Sequence, residues 1–516
     1  MKKRMKKLAL WLAAGLLVVS AVFSAGVLWP LNTPAPGLNN PKSLITNVSV
    51  VDVVTGQLRP NQNILVENGI IVGVGPDVLA EDAHVINGAG RFAVPGLFDM
   101  HAHSMKMAPV LAHPMFVAAG VTAIRDMGGC IGLEDAMVAC ANDKRRWDNA
   151  ARDGTAVSPR YDQITSLAID GGFEIPSALD QSWWVTGAAS AEQRVLFDVG
   201  RGIDFLKPYS SLTEEAYLAL AAAAKKNSTY LAGHKPFVVS AKTAIAAGQR
   251  SFEHAFLFIW DCFPGVEAYR AKGSLKAFFT NEARSEMINQ HDKAQCAALH
   301  AQMRTAGAVY APTHTTRKLD AYARDEAFRS DERLKYIPGP LRTMWLQDAS
   351  GMAKKAGAGG EESYKAIYNF GLQQTGLAHK AGVTILAGTD APDSFVFPGL
   401  SLHDELEHLV LAGLSPLDAL RSATLEPARF LGLEGKAGII QVGARADIVL
   451  LTANPLSNIA LVRTVDGVML AGVYYDAAAR AKLMAGVEGA ANSWSMWPKF
   501  IWQTVNSPIT LRQFAD

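Results

Sequence analysis

Two histidines separated by one residue are the first groups in this sequence that could bind a metal. His101 and His103 end the short apolar run Val94–His103. Alternate side chains of a β-strand point to the same face, so both imidazoles would lie on one side of such a strand. Two neutral imidazole nitrogens could then share one cation. The pair alone also fits a solvated strand surface, so the rest of the chain must decide between the two interpretations.

Further polar side chains recur where predicted strands end. Short apolar stretches alternate with helical ones, which is typical of βαβ units in a parallel sheet. Eight such strands, including a weakly marked one near residues 163–167, predict an α/β fold of the TIM (β/α)8 barrel type. The carboxyl ends of the strands form the catalytic face of that fold. The polar residues at these ends are His101, His103, Asp126, Lys207, His234, His254, His314 and Asp390.

The segments on either side of the predicted barrel are rich in β-branched residues. Residues 43–94 read as strands, with an Asn-Gly hairpin signal at Asn68-Gly69. Strands return in residues 431–475. We expect the two segments to form one small β-sandwich domain beside a barrel of residues 95–430. A tail with Trp and Phe residues follows at 488–516, and it could pack on the barrel or on a membrane surface.

Length and charge limit the classes of protein that this chain can be. The 516 residues are 49% hydrophobic and 19% charged, an ordinary globular composition that can build a large core. There are 49 Lys and Arg residues against 48 Asp and Glu residues. This balance gives no argument for a nucleic-acid partner, and it leaves assembly into a homo-oligomer open.

The N-terminus carries a membrane-targeting pattern. Five basic residues among the first seven precede an uncharged run from Leu8 to Trp29. At about 1.5 Å per residue this run can cross a bilayer core of about 30 Å. The basic flank should stay in the cytoplasm, which predicts a periplasmic or extracellular body. Residues 1–31 could be a signal peptide cleaved near Ser24–Gly26 or an uncleaved anchor through residues 8–29, and both interpretations stay open.

The four cysteines fit the predicted location outside the cytoplasm. An even number of cysteines suits disulfides in an oxidising compartment. Proximity in the sequence favours Cys130–Cys140 and Cys262–Cys296 among the three possible connectivities. Each pair lies in a long segment, 128–160 or 256–308, that we expect to form a wall of the substrate pocket.

Several motifs now occur in an order that resembles a known family. They are Pro95–His103, Gly120–Asp126, Asp204–Lys207, Gly233-His234, Glu253-His254, Leu386–Asp390 and Gly443–Val449. Together they resemble the amidohydrolase superfamily over about residues 43–475. The resemblance is closest to the imidazolonepropionase-like branch, which includes Xaa-Pro dipeptidases (prolidases) and ochratoxin-hydrolysing amidases.

The resemblance implies a site with two divalent metal ions, usually zinc. His101 and His103 would bind one metal with Asp390, and a second pair, His234 and His254, would bind the other. Lys207 would bridge both metals as a carbamate, which is an anion with two oxygens, whereas a protonated lysine cannot be a ligand.

The chemistry of such a site follows from its ligands. Two cations that share a water lower its pKa and supply a bridging hydroxide near neutral pH. Asp390 would then take the proton and deliver it to the leaving nitrogen. Pro208 after the lysine departs from the commoner pattern of the family.

The resulting prediction is a metal-dependent hydrolase of an amide or peptide C–N bond, such as a dipeptidase or amidase acting on a dipeptide or small molecule. Tyr209 and His314 are candidates for binding the substrate or polarising its carbonyl. The alternative is a mononuclear deaminase or cyclic-amide hydrolase. Related deaminases carry a glutamate shortly after the fifth-strand histidine, whereas Lys235–Phe237 follows His234 here. An inactive membrane-tethered scaffold is disfavoured because all six ligand positions are filled.

Overall fold

The computed structural model describes residues 2–507 apart from 131, 133, 172–183 and 273–274. The strands are β1 (Leu38–Asn39), β2 (Lys42–Val51), β3 (Leu58–Glu67), β4 (Ile70–Gly75), β5 (His84–Asn87), β6 (Phe92–Pro95), β7 (Leu97–Ala102), β8 (Val121–Asp126), β9 (Arg160–Ile164), β10 (Ala232–Gly233), β11 (Ser251–Glu253), β12 (Val309–Ala311), β13 (Ile448–Leu451), β14 (Val465–Leu470) and β15 (Val473–Tyr475). The α-helices are α1 (Lys2–Leu28), α2 (Ala112–Ala118), α3 (Ala141–Arg152), α4 (Ala188–Val199), α5 (Glu214–Lys226), α6 (Ala241–Ala246), α7 (Leu257–Asp261), α8 (Val266–Arg270), α9 (Asn281–Asn289), α10 (Lys293–Ala306), α11 (His314–Tyr322), α12 (Glu326–Arg329), α13 (Gly339–Lys355), α14 (Glu361–Lys380), α15 (Leu400–Leu411), α16 (Pro416–Ser422), α17 (Leu425–Phe430), α18 (Ala477–Ala491) and α19 (Met496–Asn506).

Strands from both ends of the chain build one composite sheet. The strand order is β1-β15-β14-β13-β6-β2-β3-β4, and β5 pairs with β2 as a branch. The hairpin signal is confirmed, because Asn68 and Gly69 connect β3 and β4 with φ of 50° and 74°. The hydrogen bonds join all these strands in one branched sheet, which differs from the two separate sheets expected of a sandwich. Within residues 431–475, where we expect strands to return, the first part is different, since Gly438–Val442 forms turns and bends.

Eight parallel segments close the barrel. Strands β7, β8 and β9 pair in parallel, as do β10, β11 and β12. On one side the two groups are connected by bridges from Thr165 to Phe205 and from Leu206 to Leu231; on the other side bridges run from Tyr310 to Ile385 and from Ala102 to Ala391. The segments around Phe205 and Ile385 are therefore the fourth and eighth members of the ring, which matches the predicted (β/α)8 barrel. We call each of these eight parallel segments of the barrel a stave.

A buried ion pair fixes the barrel to the composite sheet. Arg160 at the start of β9 donates from Nε and Nη2 to the two carboxylate oxygens of Asp447, at 2.7 and 3.1 Å. Asp447 also accepts a hydrogen bond from the backbone N–H of Ala471. This fork-to-fork geometry defines an orientation as well as a contact, so it sets how the two units meet.

Both predicted disulfides are present. Cys130 bonds to Cys140 and Cys262 bonds to Cys296. Among the described residues, one helix is long and apolar enough to cross a membrane, namely α1 over Lys3–Leu28. This agrees with a signal or an anchor at the N-terminus and does not decide between them.

Two histidines outside the predicted site are packed in the interior. Burial, opposed by a hydrogen bond to the backbone of Val157, lowers the pKa of His113 to about 3. Burial and then the nearby Arg463 lower the pKa of His403 to about 4. His403 lies on the inner side of α15 and donates from Nε2 to the carbonyl of Ala119 at 2.9 Å. Both side chains are therefore neutral in the folded protein at neutral pH.

These buried histidines predict acid-sensitive stability. In the unfolded chain each would take up a proton near its ordinary pKa of 6.5, whereas in the folded chain it stays neutral. Folding stability is thus complete above about pH 6.5 and falls as the pH drops towards the folded pKa values. At pH 5 each histidine should cost about 2 kcal/mol. Denaturant titrations between pH 8 and 5 measure this loss, and His113→Gln or His403→Gln should flatten the slope. A slope unchanged by either substitution would refute the assignment.

Candidate active site

The carboxylate of Asp390 lies where the two histidines of the His-x-His motif converge. His101 Nε2 is 3.1 Å and His103 Nε2 is 2.9 Å from the same oxygen, Asp390 Oδ1. The first histidine ends β7, and the aspartate lies on the adjacent eighth stave, where its N–H donates to the carbonyl of His101. The predicted first ligand group, His101, His103 and Asp390, is therefore assembled by neighbouring staves.

The second histidine pair faces the same centre. His234 follows β10 and His254 follows β11, and their Nε2 atoms are 3.0 Å apart. His254 Nδ1 is 3.7 Å from Asp390 Oδ2, which joins this pair to the first group. The four imidazoles and the aspartate thus form one cluster at the carboxyl ends of the staves.

Lys207 lies at the edge of this cluster with only 4% of the residue exposed. Its Nζ donates to the carbonyl of Met127 at 3.2 Å. A β-carbon placed on Gly233 would lie 2.8 Å from Lys207 Cγ, so the absence of a side chain there makes room for the lysine. All six predicted ligands are therefore brought together in the described part of the chain.

The outer ring nitrogens of three histidines are held by residues that carry no ligand role. His101 Nδ1 is 2.9 Å from Glu253 Oε2, His234 Nδ1 is 3.0 Å from Ser210 Oγ, and His254 Nδ1 is 2.8 Å from Thr313 Oγ1. Each contact orients its ring and leaves Nε2 directed at the centre. Such outer partners are characteristic of histidines that bind metals.

Glu253 is itself fixed by a buried cation. Arg125 Nη2 donates to Glu253 Oε1 at 2.8 Å, and Arg125 Nε donates to the carbonyl of Met100 at 2.6 Å. Burial would raise the pKa of Glu253, but Arg125 and His101 outweigh it and lower this pKa to about 2. Glu253 is therefore ionised at neutral pH and can accept the N–H of His101.

The backbone at the site adopts a rare conformation in three places. His254, Thr313 and Asp390 have φ of 69°, 46° and 72°, in the left-handed region that residues with a β-carbon seldom occupy. Each lies just after a barrel stave. At these residues the side chain no longer follows the alternating directions of the strand and points towards the centre. Strained backbone positions of this kind concentrate at functional sites.

The charges of the cluster favour the neutral form of three histidines, whereas the pKa of His101 is raised. Burial, and then His254, lower the pKa of His234 well below its ordinary value, and burial lowers that of His254 to about 3. Burial and then the cation of Lys207 lower the pKa of His103. Burial would raise the pKa of Asp390, but His101 and His254 outweigh it and hold it well below its ordinary value. For His101, burial lowers the pKa, whereas Asp390 and Glu253 together produce a net rise.

Three features fit divalent cations. The Nε2 of His101 is buried and makes no well-aligned hydrogen bond, although it lies 3.1 Å from Asp390 Oδ1. The Nε2 atoms of His234 and His254 face each other at 3.0 Å, so two ring nitrogens that can bind a cation meet at one point. Ligand atoms of His101, His103 and Asp390 also lie within 4.8 Å of one another. A set of imidazoles and one carboxylate is the donor set that zinc prefers.

The two predicted substrate contacts have different outcomes. Tyr209 is half-buried and its ring centroid is 4.3 Å from that of His234, which places it beside the cluster. The prediction for His314 is wrong. Its side chain is fully buried, and its Nε2 is 2.9 Å from Thr375 Oγ1 on α14. As the first residue of α11, it points into the helical layer and away from the centre.

The sequence reasoning missed the partners that orient the ligands. Glu253 was read only as part of a Glu-His motif, and no role was predicted for Ser210, Thr313 or Arg125. Arg125 was visible in the stretch that ends in Asp126, but its partner is 128 residues away. Asp126 itself does not join the ligands, because it forms a buried ion pair with Lys144.

Comparisons with known proteins relate one part of this chain to a family and most of it to a known fold. Residues 371–474 match the Amidohydrolase family. A bottromycin amidohydrolase structure superposes with a TM-score of 0.69 at 24% identity, covering 88% of this chain and 91% of the other. A Xaa-Pro dipeptidase with bound methionine in the active site superposes with a TM-score of 0.59 at 20% identity, covering 84% and 100%. Residues 371–474 therefore carry the similarity to the Amidohydrolase family, and most of the chain shares the fold of these two structures.

Two curated relatives match over shorter segments. A dihydroorotase of Carboxydothermus hydrogenoformans is 43% identical over 60 residues, which are 12% of this chain and 14% of the enzyme. An adenine deaminase of Desulforamulus reducens is 28% identical over 193 residues, which are 37% of this chain and 31% of the enzyme. The chain therefore spans less than a third of the length of these relatives, and their substrates do not carry over with the similarity.

The disulfide between Cys130 and Cys140 lies in a segment that touches a ligand. A β-carbon on Gly128 would be 3.2 Å from His103 Nδ1, and the first cysteine of the pair follows two residues later. We expect reduction to raise KM more than it lowers the metal content, because the disulfide stiffens the wall and not the ligands. Kinetics and metal analysis with and without reductant measure both effects, with a Cys130→Ala/Cys140→Ala variant as the control. Equal kinetics in the two states would contradict this role.

Proposed function

We propose that the protein is a metal-dependent hydrolase that cleaves an amide or peptide C–N bond of a small molecule or dipeptide. The observation that supports this most is the meeting of two histidine pairs at one aspartate. His101 and His103 contact Asp390 through Nε2, and the Nε2 atoms of His234 and His254 face each other beside it. Three of the Nδ1 atoms are held by other residues. Ring nitrogens brought this close together are suited to binding a cation and would contribute little to the stability of a fold that bound none.

The ligand roles follow from the two histidine pairs. His101, His103 and Asp390 would hold one divalent ion, which we propose to be zinc, and His234 and His254 would hold a second. Lys207 would carry a carbamate between them. When bound, two such ions polarise a carbonyl and lower the pKa of a shared water. The burial of Lys207 and its close packing against Gly233, the residue before His234, support this role.

Asp390 is the group that can move the proton. One of its oxygens faces His101 and His103, and the other is 3.7 Å from His254 Nδ1. Its low pKa keeps it an acceptor, so it can take a proton from the attacking water and transfer it to the leaving nitrogen. Tyr209, beside His234, is placed to contact the substrate.

The similarity to adenine deaminases makes a mononuclear deaminase the second candidate. Lys235, the residue after His234, helps to choose between the amide hydrolase and the deaminase. Lys235 is buried, donates from Nζ to the carbonyl of Val239 at 2.6 Å and pairs with Asp261 at 3.3 Å. It therefore points away from the cluster and cannot supply the carboxylate that a ring-protonating step needs. This favours the amide or peptide hydrolase over the deaminase.

Metal content and a substrate panel test the proposal together. Full-length protein purified in detergent would be analysed for metal per chain and assayed on dipeptides, simple amides and adenine. Two metals per chain with hydrolysis of a dipeptide or amide would support the proposal. One metal with release of ammonia from adenine would establish the deaminase instead. Absence of metal and activity would indicate a scaffold. We further propose that the catalytic body is outside the cytoplasm, which a protease-accessibility assay on intact cells can test.

A further inference from the structure

The C-terminal helix α19 exposes an unusual face. Trp497, Ile501 and Val505 are spaced four residues apart and so lie in one stripe along the helix. Their exposed fractions are 49%, 46% and 78%, and the neighbouring Trp494 and Trp502 are similarly exposed. Large apolar side chains gathered in this way mark a surface that contacts a partner or a membrane.

The single charged residue of α19 is not part of the exposed apolar stripe. Lys499 donates from Nζ to the carbonyl of Val27, at the end of α1, with a distance of 2.6 Å. The exposed stripe is therefore aromatic and aliphatic, with no charge of its own. Such a composition is poorly suited to an electrostatic partner and well suited to an apolar phase.

Three contacts hold α19 against the end of α1. Besides the bond from Lys499, the ring of Trp494 lies edge-on to that of Trp29, with centroids 5.4 Å apart. Gly26 leaves room for Pro498, whose Cγ would be 2.5 Å from a β-carbon at that position. The start of α19 and the last turn of α1 therefore form one packed junction.

The position of this junction relative to a bilayer follows from α1. The apolar window of α1 has a mean hydropathy of 2.2 and no buried residue, so the protein itself does not cover it. The basic residues precede the window, which orients its other end towards the outer surface. The junction then lies at the outer membrane–water boundary, where tryptophan is enriched.

We propose that, in the chain that keeps α1 as its anchor, α19 is an interfacial helix on the outer surface of the bilayer. The stripe of Trp497, Ile501 and Val505 then lies at the boundary between the headgroups and the acyl chains. The helix would hold the catalytic body at a fixed orientation beside the membrane. Ser507, directly after α19, donates to Asp135 Oδ2 at 3.1 Å in the loop that follows β8. The helix is thereby connected to the catalytic face of the barrel. This proposal does not depend on the reaction that the site catalyses.

Spin labels on the full-length protein test the proposal. All four cysteines are in disulfides, so a single new cysteine can be labelled selectively. Val505→Cys would carry the label on the stripe. Leu411→Cys on α15 is the matched control, because Leu411 is also apolar and is 72% exposed. Both proteins would be reconstituted in phosphatidylcholine vesicles, and the collision rates of each label with oxygen and with a polar nickel complex would be measured.

We expect the oxygen-to-nickel ratio at position 505 to be several-fold higher than at position 411. A Trp497→Gln/Ile501→Gln background should return the label at 505 to the ratio found at 411, with α1 still inserted. Equal ratios at the two positions in the parent protein would overturn the proposal. Spin–spin broadening at 505 that disappears on dilution with unlabelled protein would overturn it in favour of a second copy as the partner.

Discussion

Replacement of Lys207 by alanine will remove bound metal and nearly all activity. The lysine is buried at the edge of the ligand cluster, and its proposed carbamate would be the anion shared by both cations. Without it, four imidazoles and one carboxylate would face two divalent ions with insufficient negative charge. We expect the metal content to fall from two ions to one or none, and kcat/KM to fall by at least about 10³-fold because the attacking water is no longer activated. Elemental analysis and steady-state kinetics measure the two effects.

A small carboxylic acid should partly restore the Lys207→Ala enzyme. Removal of the lysine side chain opens a space beside Gly233, where formate or acetate can supply a two-oxygen anion in place of the carbamate. Rescue that rises and saturates with formate would support the bridging role. Lys226→Ala is the control, since that lysine pairs with Glu192 on the surface and should affect neither metal nor activity. Full metal content and activity in Lys207→Ala would refute the bridging role of Lys207.

The clustering of the proposed ligands was predictable because the barrel places them by a simple rule. Each of His101, Lys207, His234, His254 and Asp390 lies at or just after the carboxyl end of a stave, and those ends meet at one face. Histidine, aspartate and a strand-end lysine are chemically distinctive, so their recurrence at one structural position is visible in a single sequence. The hairpin at Asn68-Gly69 was predictable for a similar reason, because few residues accept its dihedral angles.

The residues that orient the ligands were not predictable, because their partners are distant in sequence. Glu253 contacts His101, which is 152 residues away in the sequence, and Arg125, which is 128 residues away. A strand pattern gives the face of a side chain but not its partner. The substrate contact predicted for His314 is absent for a related reason. Its place after β12 suggested the catalytic face, but the helix begins at this residue and turns its ring towards Thr375. The role of the C-terminal helix likewise depends on its contact with the other end of the chain.

Glu253→Gln should be the most damaging substitution outside the proposed ligands. The amide keeps the shape of the side chain but removes the buried negative charge that faces Arg125 and His101. An uncompensated buried arginine costs about 3–5 kcal/mol of folding stability. His101 would also lose the acceptor that fixes its ring, which should weaken metal binding about 10–100-fold. Denaturant titration and competition with a chelator measure the two losses separately.

A double variant separates positioning from stability. In Arg125→Met/Glu253→Gln the unpaired buried cation is gone, so much of the stability should return, because replacing both partners of a buried ion pair is often close to neutral. Metal affinity should stay low, since His101 Nδ1 still lacks a carboxylate acceptor. Ser251→Ala, which removes only one hydrogen bond to Glu253, is the mild control and should cost about 1 kcal/mol. Recovery of metal affinity together with stability would show that Glu253 acts through the fold alone and does not orient the ligand.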